Sequence, residues 1–329
     1  MNRAKPFRMI AAVHTPMRSD LSLNIDMVDA QADVMAAQGL DGVFIAGTTG
    51  EGMVLTTDER RQLAERWVQA AAGRLDVLVH VAHPVLSEAT ALAQHAVRIG
   101  AQGTVAITPA DFPPHTVDNL VSWCAVVAAS APSLPFYYYH IPVRTRLPFK
   151  AIDILRAAAP RIPNLRGLKF THEDLMDFGR CADFQDGRYE TLYGRDEMLL
   201  PAMTVGATGA LGSTYNYLGR LYRKVVEAFD AGDMAAAQAF QRKSREIVEV
   251  ILEPGNLMST GKWLMSLIGV DCGPVRIASG NVPMETLNAL RPKLEAAGFF
   301  EYAGAPRNAA TAKPAARAAG KPVGKKSRA

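Results

Sequence analysis

Apolar segments of about five residues alternate along the chain with longer segments in which apolar residues recur at helical spacing. The short segments are rich in β-branched and aromatic residues, which is typical of strands. They predict eight strands, at residues 8–16, 42–46, 77–82, 104–108, 136–141, 165–170, 190–193 and 208–213. The longer segments between them predict helices.

Helix-capping residues support several of these predicted helices. Asn24, Thr56 and Ser87 each precede apolar residues at helical spacing, and Thr56 with Glu59 has the spacing of a capping box. Residues 217–294 predict further helices after the alternation has ended. We therefore expect a layer of helices C-terminal to the strand and helix repeats.

Eight strand and helix repeats predict a parallel sheet, and eight is the number that closes into a TIM barrel. The alternative is an open doubly wound sheet, but the glycine fingerprint GxGxxG that usually follows its first strand is missing. The predicted fold is α/β, a TIM (β/α)8 barrel with additional C-terminal helices. We expect residues 1–302 to form this unit.

The composition is that of a soluble globular protein, since 49% of the 329 residues are hydrophobic and 21% are charged. Three dispersed cysteines exclude a disulfide framework and favour a reducing cytoplasm: Cys124, Cys181 and Cys272. No apolar run approaches the roughly 20 residues of a membrane span, and residues 9–13 are too short for a signal-peptide core. We expect no membrane partner.

The net charge of +4 arises from the C-terminal tail. Residues 303–329 hold seven basic residues and no acidic ones, so residues 1–302 carry a net charge of −3. The tail is rich in Ala, Lys, Pro and Gly without apolar periodicity, which predicts disorder. Its cations have the chemistry to attract nucleic acid or an acidic membrane surface, but a solvated, non-specific tail is the favoured interpretation, and no nucleic-acid partner is expected.

Polar residues cluster where six of the predicted strands end, at residues 14–16, 48–51, 139–142, 169, 194–197 and 212–214. In a TIM barrel these ends converge on one mouth, where active sites lie. The loop GTTGEG (47–52) has exposed backbone N–H groups and two hydroxyls that suit a carboxylate or phosphate. It lacks the Gly-Lys-Ser/Thr of a Walker A loop. We expect no metal site, because the histidines form no HExxH motif, and we expect His95 to lie on a helix surface.

Lys169 is the strongest single candidate for a catalytic residue, because it lies between the apolar residues Leu168 and Phe170 in a predicted strand. Burial favours the neutral form of an amine, and a neutral amine attacks a ketone to form a Schiff base. The alternative is a lysine that faces a helix or extends its amine to water. Tyr139 on the neighbouring strand favours the catalytic interpretation, since it is placed for proton transfer.

Five segments match a known family: GTTGEG (47–52), YYYHIP (137–142), GLKF (167–170), LYGRDE (192–197) and GATGALGSTYNYLG (206–219). From about residue 8 to about residue 294 the chain resembles the Schiff-base class I aldolase superfamily of N-acetylneuraminate lyase and dihydrodipicolinate synthase. The last segment is similar to N-acetylneuraminate lyases in particular.

The resemblance implies a lyase that releases pyruvate from a 2-oxo sugar acid, with N-acetylmannosamine as the second product of N-acetylneuraminate. Lys169 would form the imine, and Tyr139 would move the proton of the C4 hydroxyl. Thr48 and Thr49 would hold the substrate carboxylate. The polyhydroxyl tail would be bound by Gly194, Asp196, Glu197, Gly212 and Ser213. The resemblance implies no metal or organic cofactor beyond the covalent imine, and it implies a homotetramer.

Three positions depart from the family pattern. Arg144 stands where sialate lyases usually have leucine and where dihydrodipicolinate synthases have an arginine that binds a substrate carboxylate. Arg146 replaces a usual glycine, and Asp111 takes the place of a tyrosine that reaches a neighbouring subunit's site. We expect Arg144 to point inward and two cations to favour a more acidic substrate. A pyruvate-condensing synthase, a 2-oxo acid dehydratase and a non-catalytic sensor are therefore the alternatives.

Overall fold

The computed structural model describes residues 6–109 and 113–304. Eight parallel strands form a closed barrel in chain order, and β1 pairs with β8 to complete the closure. The strands are β1 (Arg8–Ala12), β2 (Gly42–Ile45), β3 (Asp76–His80), β4 (Gly103–Ile107), β5 (Phe136–His140), β6 (Leu165–Phe170), β7 (Glu190–Tyr193) and β8 (Gly209–Gly212). The predicted TIM barrel is confirmed.

Helices follow the strands and continue beyond β8. In the described ranges the α-helices are α1 (Val28–Ala37), α2 (Thr57–Ala71), α3 (Leu86–Arg98), α4 (Val117–Ala129), α5 (Pro142–Thr145), α6 (Ala151–Ala158), α7 (Leu175–Asp183), α8 (Leu199–Thr204), α9 (Tyr215–Asp230), α10 (Met234–Leu252), α11 (Leu257–Leu267), α12 (Met284–Ala296) and α13 (Phe299–Tyr302). Short 3-10 helices occupy Ile25–Met27, Gly52–Val54 and Asp196–Met198. The helices predicted after the alternation are α9 to α12, and α13 lies beyond the predicted range.

Local boundaries differ from the predictions at several points. β1 ends at Ala12 rather than at residue 16. The capping box of Thr56 and Glu59 forms as predicted, with both reciprocal hydrogen bonds. Ser87 is not a cap, because α3 already begins at Leu86 and the preceding Val85 provides no side-chain hydrogen bond. Asn24 likewise makes no side-chain cap bond.

Alternate residues of each strand face the barrel interior or the surrounding helices. In β5, Tyr137 and Tyr139 belong to the cluster inside the barrel, whereas Phe136 and Tyr138 pack in the layer between sheet and helices. This is the period-two alternation of strand side chains. It turns Tyr139 inward, and Lys169 lies beside it because the two are register partners in the β5–β6 pair.

A charged network closes the N-terminal end of the barrel. The Arg8 guanidinium donates to Asp76 at 2.7 Å and to Glu190 at 2.9 Å. Glu190 also accepts from the Tyr137 hydroxyl at 2.8 Å and from Arg166 at 2.7 Å. Each charge in this network faces an opposite charge, so this end of the barrel is closed by ion pairs.

Three sequence-based expectations concern the periphery. His95 is buried rather than on the surface, and its Nε2 lies 2.8 Å from Glu65 on α2, because α3 packs this face against its neighbour. Asp111 and the tail from residue 305 lie outside the described residues, so the predicted tail disorder stays a prediction. No helix in the described part of the chain is long and apolar enough to cross a membrane.

Candidate active site

A cavity of about 380 Å³ lies at the C-terminal ends of the strands. The ten residues predicted for the site all line it: Thr48, Thr49, Tyr139, Arg144, Lys169, Gly194, Asp196, Glu197, Gly212 and Ser213. They come from loops that follow β2, β5, β7 and β8 and from the strands themselves. The barrel geometry therefore brings together residues that are up to 165 positions apart in the chain.

Lys169 lies at the base of this cavity, only 4% exposed. Its Nζ is 4.1 Å from the ring centroid of Tyr139 and 5.0 Å from that of Phe44. The amine thus sits among aromatic rings inside the barrel, open to the cavity. The alternative, a lysine that faces the helices, is not what the structure shows.

Tyr139 is buried, yet its phenol is the one in this strand that favours the ionised form. Burial raises the pKa of the phenol, but the Lys169 ammonium and the hydroxyls of Thr48 and Thr171 together outweigh burial, so the pKa lies below its ordinary value. The neighbouring Tyr138 behaves in the opposite way, because burial dominates and raises its pKa. The contrast marks Tyr139 as the candidate for proton transfer in this strand.

The loop after β2 presents Thr48 and Thr49 to the cavity. Its fold is held by backbone hydrogen bonds from Glu51 N to the Thr48 carbonyl (3.1 Å) and from Gly52 N to the Gly47 carbonyl (3.0 Å). Thr15 adds a side-chain hydrogen bond to the Gly50 carbonyl at 2.5 Å. The two threonine hydroxyls are therefore carried by a tightly hydrogen-bonded turn.

Asp196 brings a buried carboxyl to the far side of the cavity. Its Oδ2 accepts from the backbone N–H and the hydroxyl of Thr214, at 2.8 and 2.7 Å. Its Oδ1 has no hydrogen-bond partner among the described residues. Burial, and next the neighbouring Glu197 carboxylate, raise the pKa of Asp196 to about 7. An unpartnered buried oxygen at a cavity wall is suited to accept from a ligand hydroxyl.

The two glycines of the predicted set serve close packing. A Cβ at Gly212 would overlap the Asp196 carboxylate, and a Cβ at Gly194 would overlap the Thr171 hydroxyl. Both polar groups are thereby allowed to approach the backbone at the ends of β7 and β8. Thr171 itself lines the cavity and was not predicted.

An ion-pair chain that the sequence analysis missed also lines the cavity. The guanidinium of Arg195 pairs with the Glu173 carboxylate and lies 3.8 Å from that of Glu197. Glu173 and Arg195 each follow the end of a strand, β6 and β7, and this position was the available signal. The pairing itself depends on how two separate loops approach each other.

The two unusual arginines differ in their placement. Arg144 is exposed on α5 and borders the cavity, and its inward orientation stays a prediction. Arg146 is exposed too, at a left-handed φ of 54°, and is not among the cavity-lining residues. Of the two arginines expected at the mouth, only Arg144 borders the cavity. Across residues 6–109 and 113–304, no group of three or more His, Cys, Asp or Glu side chains is placed to hold a metal ion.

Comparisons with known proteins agree with this geometry. Residues 5–297 match the sequence profile of the Dihydrodipicolinate synthetase family. The chain is 40% identical over 300 residues to N-acetylneuraminate lyase of Rattus norvegicus. This match covers 90% of this chain and 94% of the relative. It is 39% identical to the Homo sapiens protein of the same name, over 89% and 93% of the two chains.

A solved structure is similar over nearly the same length. The structure of Proteus mirabilis N-acetylneuraminate lyase superposes with a TM-score of 0.86 at 38% identity, and the match covers 90% of this chain and 99% of that one.

Proposed function

The chain belongs to the Dihydrodipicolinate synthetase family, and the relatives reported above are N-acetylneuraminate lyases. We therefore propose that it is a class I aldolase. It cleaves N-acetylneuraminate, or a closely related 2-oxo sugar acid, to pyruvate and an aldehyde. N-acetylmannosamine is the aldehyde expected from N-acetylneuraminate. The observation that carries the proposal is the buried Lys169 amine, which faces the cavity beside Tyr139.

In the proposed reaction, the Lys169 amine attacks the C2 ketone, and the departing hydroxyl takes a proton from the Tyr139 phenol and leaves as water, which forms a protonated imine and a Tyr139 phenolate. The protonated imine accepts the electron pair of the C3–C4 bond as that bond breaks, and an enamine results. The Tyr139 phenolate takes the proton of the C4 hydroxyl, so that C4 leaves as the aldehyde carbonyl, and the resulting phenol supplies the proton that C3 of the enamine then receives. Protonation of the enamine at C3 and hydrolysis of the imine then release pyruvate and restore Lys169.

The remaining cavity residues would bind and orient the substrate. Thr48 and Thr49 offer hydroxyls to the carboxylate. The polyhydroxyl tail would extend toward Gly194, Asp196, Glu197, Gly212 and Ser213, where the buried Asp196 Oδ1 has no hydrogen-bond partner among the described residues. In this route the covalent imine supplies the electron sink, and no other cofactor takes part in a step.

Borohydride trapping tests the proposal directly. The protein is incubated with N-acetylneuraminate and sodium borohydride, and the adduct is read by intact mass and peptide mapping. A pyruvyl adduct on Lys169 is expected. An adduct of the whole sugar acid would retain the imine and point to another preferred substrate, and a folded protein without an adduct would contradict the proposal.

A second candidate function rests on Arg144, which borders the cavity as an exposed cation. A guanidinium there suits a substrate with a second carboxylate, as a pyruvate-condensing synthase or a 2-oxo acid dehydratase would use. Release of pyruvate from sialic acid, without condensation of pyruvate onto aspartate semialdehyde, separates the lyase from the synthase. Ligand binding without turnover would instead indicate a sensor.

We also propose a homotetramer in the cytoplasm, with residues 1–302 as one folding unit. The three cysteines are all unpaired and buried, which fits a reducing compartment. Sedimentation equilibrium tests the tetramer, and limited proteolysis tests the boundary near residue 302.

A further inference from the structure

A buried ion pair joins the threonine-bearing loop to the C-terminal helices. The Nζ of Lys262, on α11, lies 2.6 Å from Oε1 of Glu51, and both side chains are almost fully excluded from solvent. Lys262 Nζ also donates to the Pro274 carbonyl at 2.7 Å. Glu51 belongs to the same turn as Thr48 and Thr49, so the contact links that turn to a helix 211 positions away in the chain.

The second oxygen of the Glu51 carboxylate fixes another segment. Oε2 accepts from the backbone N–H groups of Arg276 and Ile277, at 2.6 and 3.1 Å. Ser279, two residues further on, lines the active-site cavity together with Met258 near the start of α11. One carboxylate therefore connects the threonine turn with both C-terminal segments that border the cavity.

Stability alone does not account for this pair. A buried ion pair must overcome the loss of hydration of two charges, and apolar residues of similar volume are often as stable. Glu51 moreover adopts a left-handed backbone conformation, with φ at 55°, which is unfavourable for a residue other than glycine. A strained residue whose side chain is fully used in contacts indicates that the contacts determine the shape of the turn.

We propose that Lys262 is a positioning residue: through Glu51 it holds the turn that carries Thr48 and Thr49 in the geometry that binds the carboxylate of a 2-oxo acid. The inference rests on the proposed function, since it assigns those hydroxyls to the substrate carboxylate. Lys262 contacts no reacting atom in this role, so its loss weakens carboxylate binding more than it slows imine formation at saturation.

The test compares Lys262→Met with Lys293→Met, whose lysine forms an exposed ion pair with Glu253. Pyruvate is trapped on Lys169 with borohydride over a range of concentrations. For Lys262→Met, the half-saturating concentration should rise about tenfold, equivalent to about 1.4 kcal/mol, while the maximal trapping rate stays near that of the wild type. Lys293→Met should match the wild type in both quantities.

Hydrogen exchange provides a readout that does not depend on activity. Amides in peptides that cover residues 46–52 should exchange faster in Lys262→Met than in the wild type, and Lys293→Met should show no such change. If Lys262→Met folds poorly, Glu51→Gln combined with Lys262→Met removes both buried charges and keeps an acceptor for Arg276 and Ile277. The proposal expects the raised half-saturating concentration in that variant as well.

Two results would overturn the proposal: an unchanged half-saturating concentration, or a maximal trapping rate that falls by as large a factor as the half-saturating concentration rises. Failure of the proposed function has a different signature, because the wild type would then form no pyruvyl adduct at all. In that case hydrogen exchange of residues 46–52 in Lys262→Met and in the wild type is the remaining test of whether Lys262 positions the turn.

Discussion

Two carboxylates at opposite ends of β7 experience opposite electrostatic environments. Glu190 begins the strand at the closed end of the barrel, and Asp196 follows its other end at the cavity. Burial raises the pKa of Glu190, but the Tyr137 hydroxyl and the guanidinium groups of Arg8 and Arg166 together lower it below its ordinary value. At Asp196 burial prevails, and the pKa rises to about 7.

The difference lies in the partners as well as in the loss of water, since Asp196 is buried whereas Glu190 is only partly buried. Each Glu190 oxygen faces hydrogen-bond donors that carry positive charge or lie beside it, so the ionised form is stabilised. Asp196 receives two hydrogen bonds from Thr214 on one oxygen and none on the other from any described residue. The closed end satisfies its charges internally, whereas the mouth retains bonding capacity for a ligand.

Lys169→Ala removes the imine-forming amine from the active-site cavity and should have the largest effect on turnover. Loss of the imine-forming amine should lower turnover of N-acetylneuraminate by about 10⁴-fold or more, and pyruvyl trapping should vanish. The melting temperature should stay close to that of the wild type, because the network at the closed end is untouched. Cleavage that persists in this variant would refute the imine mechanism.

Tyr139→Phe removes the hydroxyl that moves the C4 proton. Cleavage should slow by about 10²- to 10⁴-fold, the usual contribution of a positioned acid or base. Imine formation with pyruvate, measured by borohydride trapping, should slow less, since that step breaks no carbon–carbon bond. Equal losses in both measurements would assign Tyr139 a different role.

Glu190→Gln removes a charge from the ion-pair network at the closed end of the barrel. Arg8 and Arg166 lose a shared partner, and the free energy of unfolding in urea should fall by about 2 kcal/mol at pH 7. Because the folded-state pKa of Glu190 is lowered, its stabilisation is present above its ordinary pKa and is lost as the pH falls through the lowered value. The deficit of the variant should therefore shrink in acid, and kcat of the folded enzyme should not change.

Asp196→Asn should change stability with a pH dependence opposite to that of Glu190→Gln. The folded protein retains the Asp196 proton more firmly than the unfolded chain does, so ionisation of this group reduces stability as the pH rises from about 4 to about 7. The asparagine side chain does not ionise and therefore removes that penalty. In thermal unfolding, the stability of the variant relative to the wild type should be more favourable at pH 8 than at pH 5, and a constant difference would contradict the raised pKa.

Arg144→Leu should have the smallest effect, because the side chain is exposed and charge interactions there are screened. If Arg144 faces the substrate, kcat/KM for N-acetylneuraminate should rise about twofold to fivefold, consistent with about 1 kcal/mol or less for an exposed charge. Arg146→Leu serves as a control, since Arg146 does not line the cavity. No change in either variant would indicate that Arg144 turns outward in solution.

Residues whose position follows from local rules were predictable from sequence. Strand alternation separates Tyr139 from Tyr138, and adjacent strands predict that Lys169 lies near Tyr139, but that both side chains face the barrel interior is seen only in the structure. Contacts between distant loops were not predictable: the pairing of Glu173 with Arg195 and of Glu51 with Lys262 depends on the assembled barrel. Ser87 failed as a cap because helix ends vary by a residue or two with packing.

The closure of β1 on β8 has a consequence for synthesis of the protein. The partner of Arg8 in the sheet is Gly209, which leaves the ribosome about 200 residues later. At 5–20 residues per second, β1 waits on the order of 10–40 s for the strand that completes its hydrogen bonding. β1, the first strand to be synthesised, therefore gains its second neighbouring strand only when β8 has been made. The active-site cavity cannot form before that point.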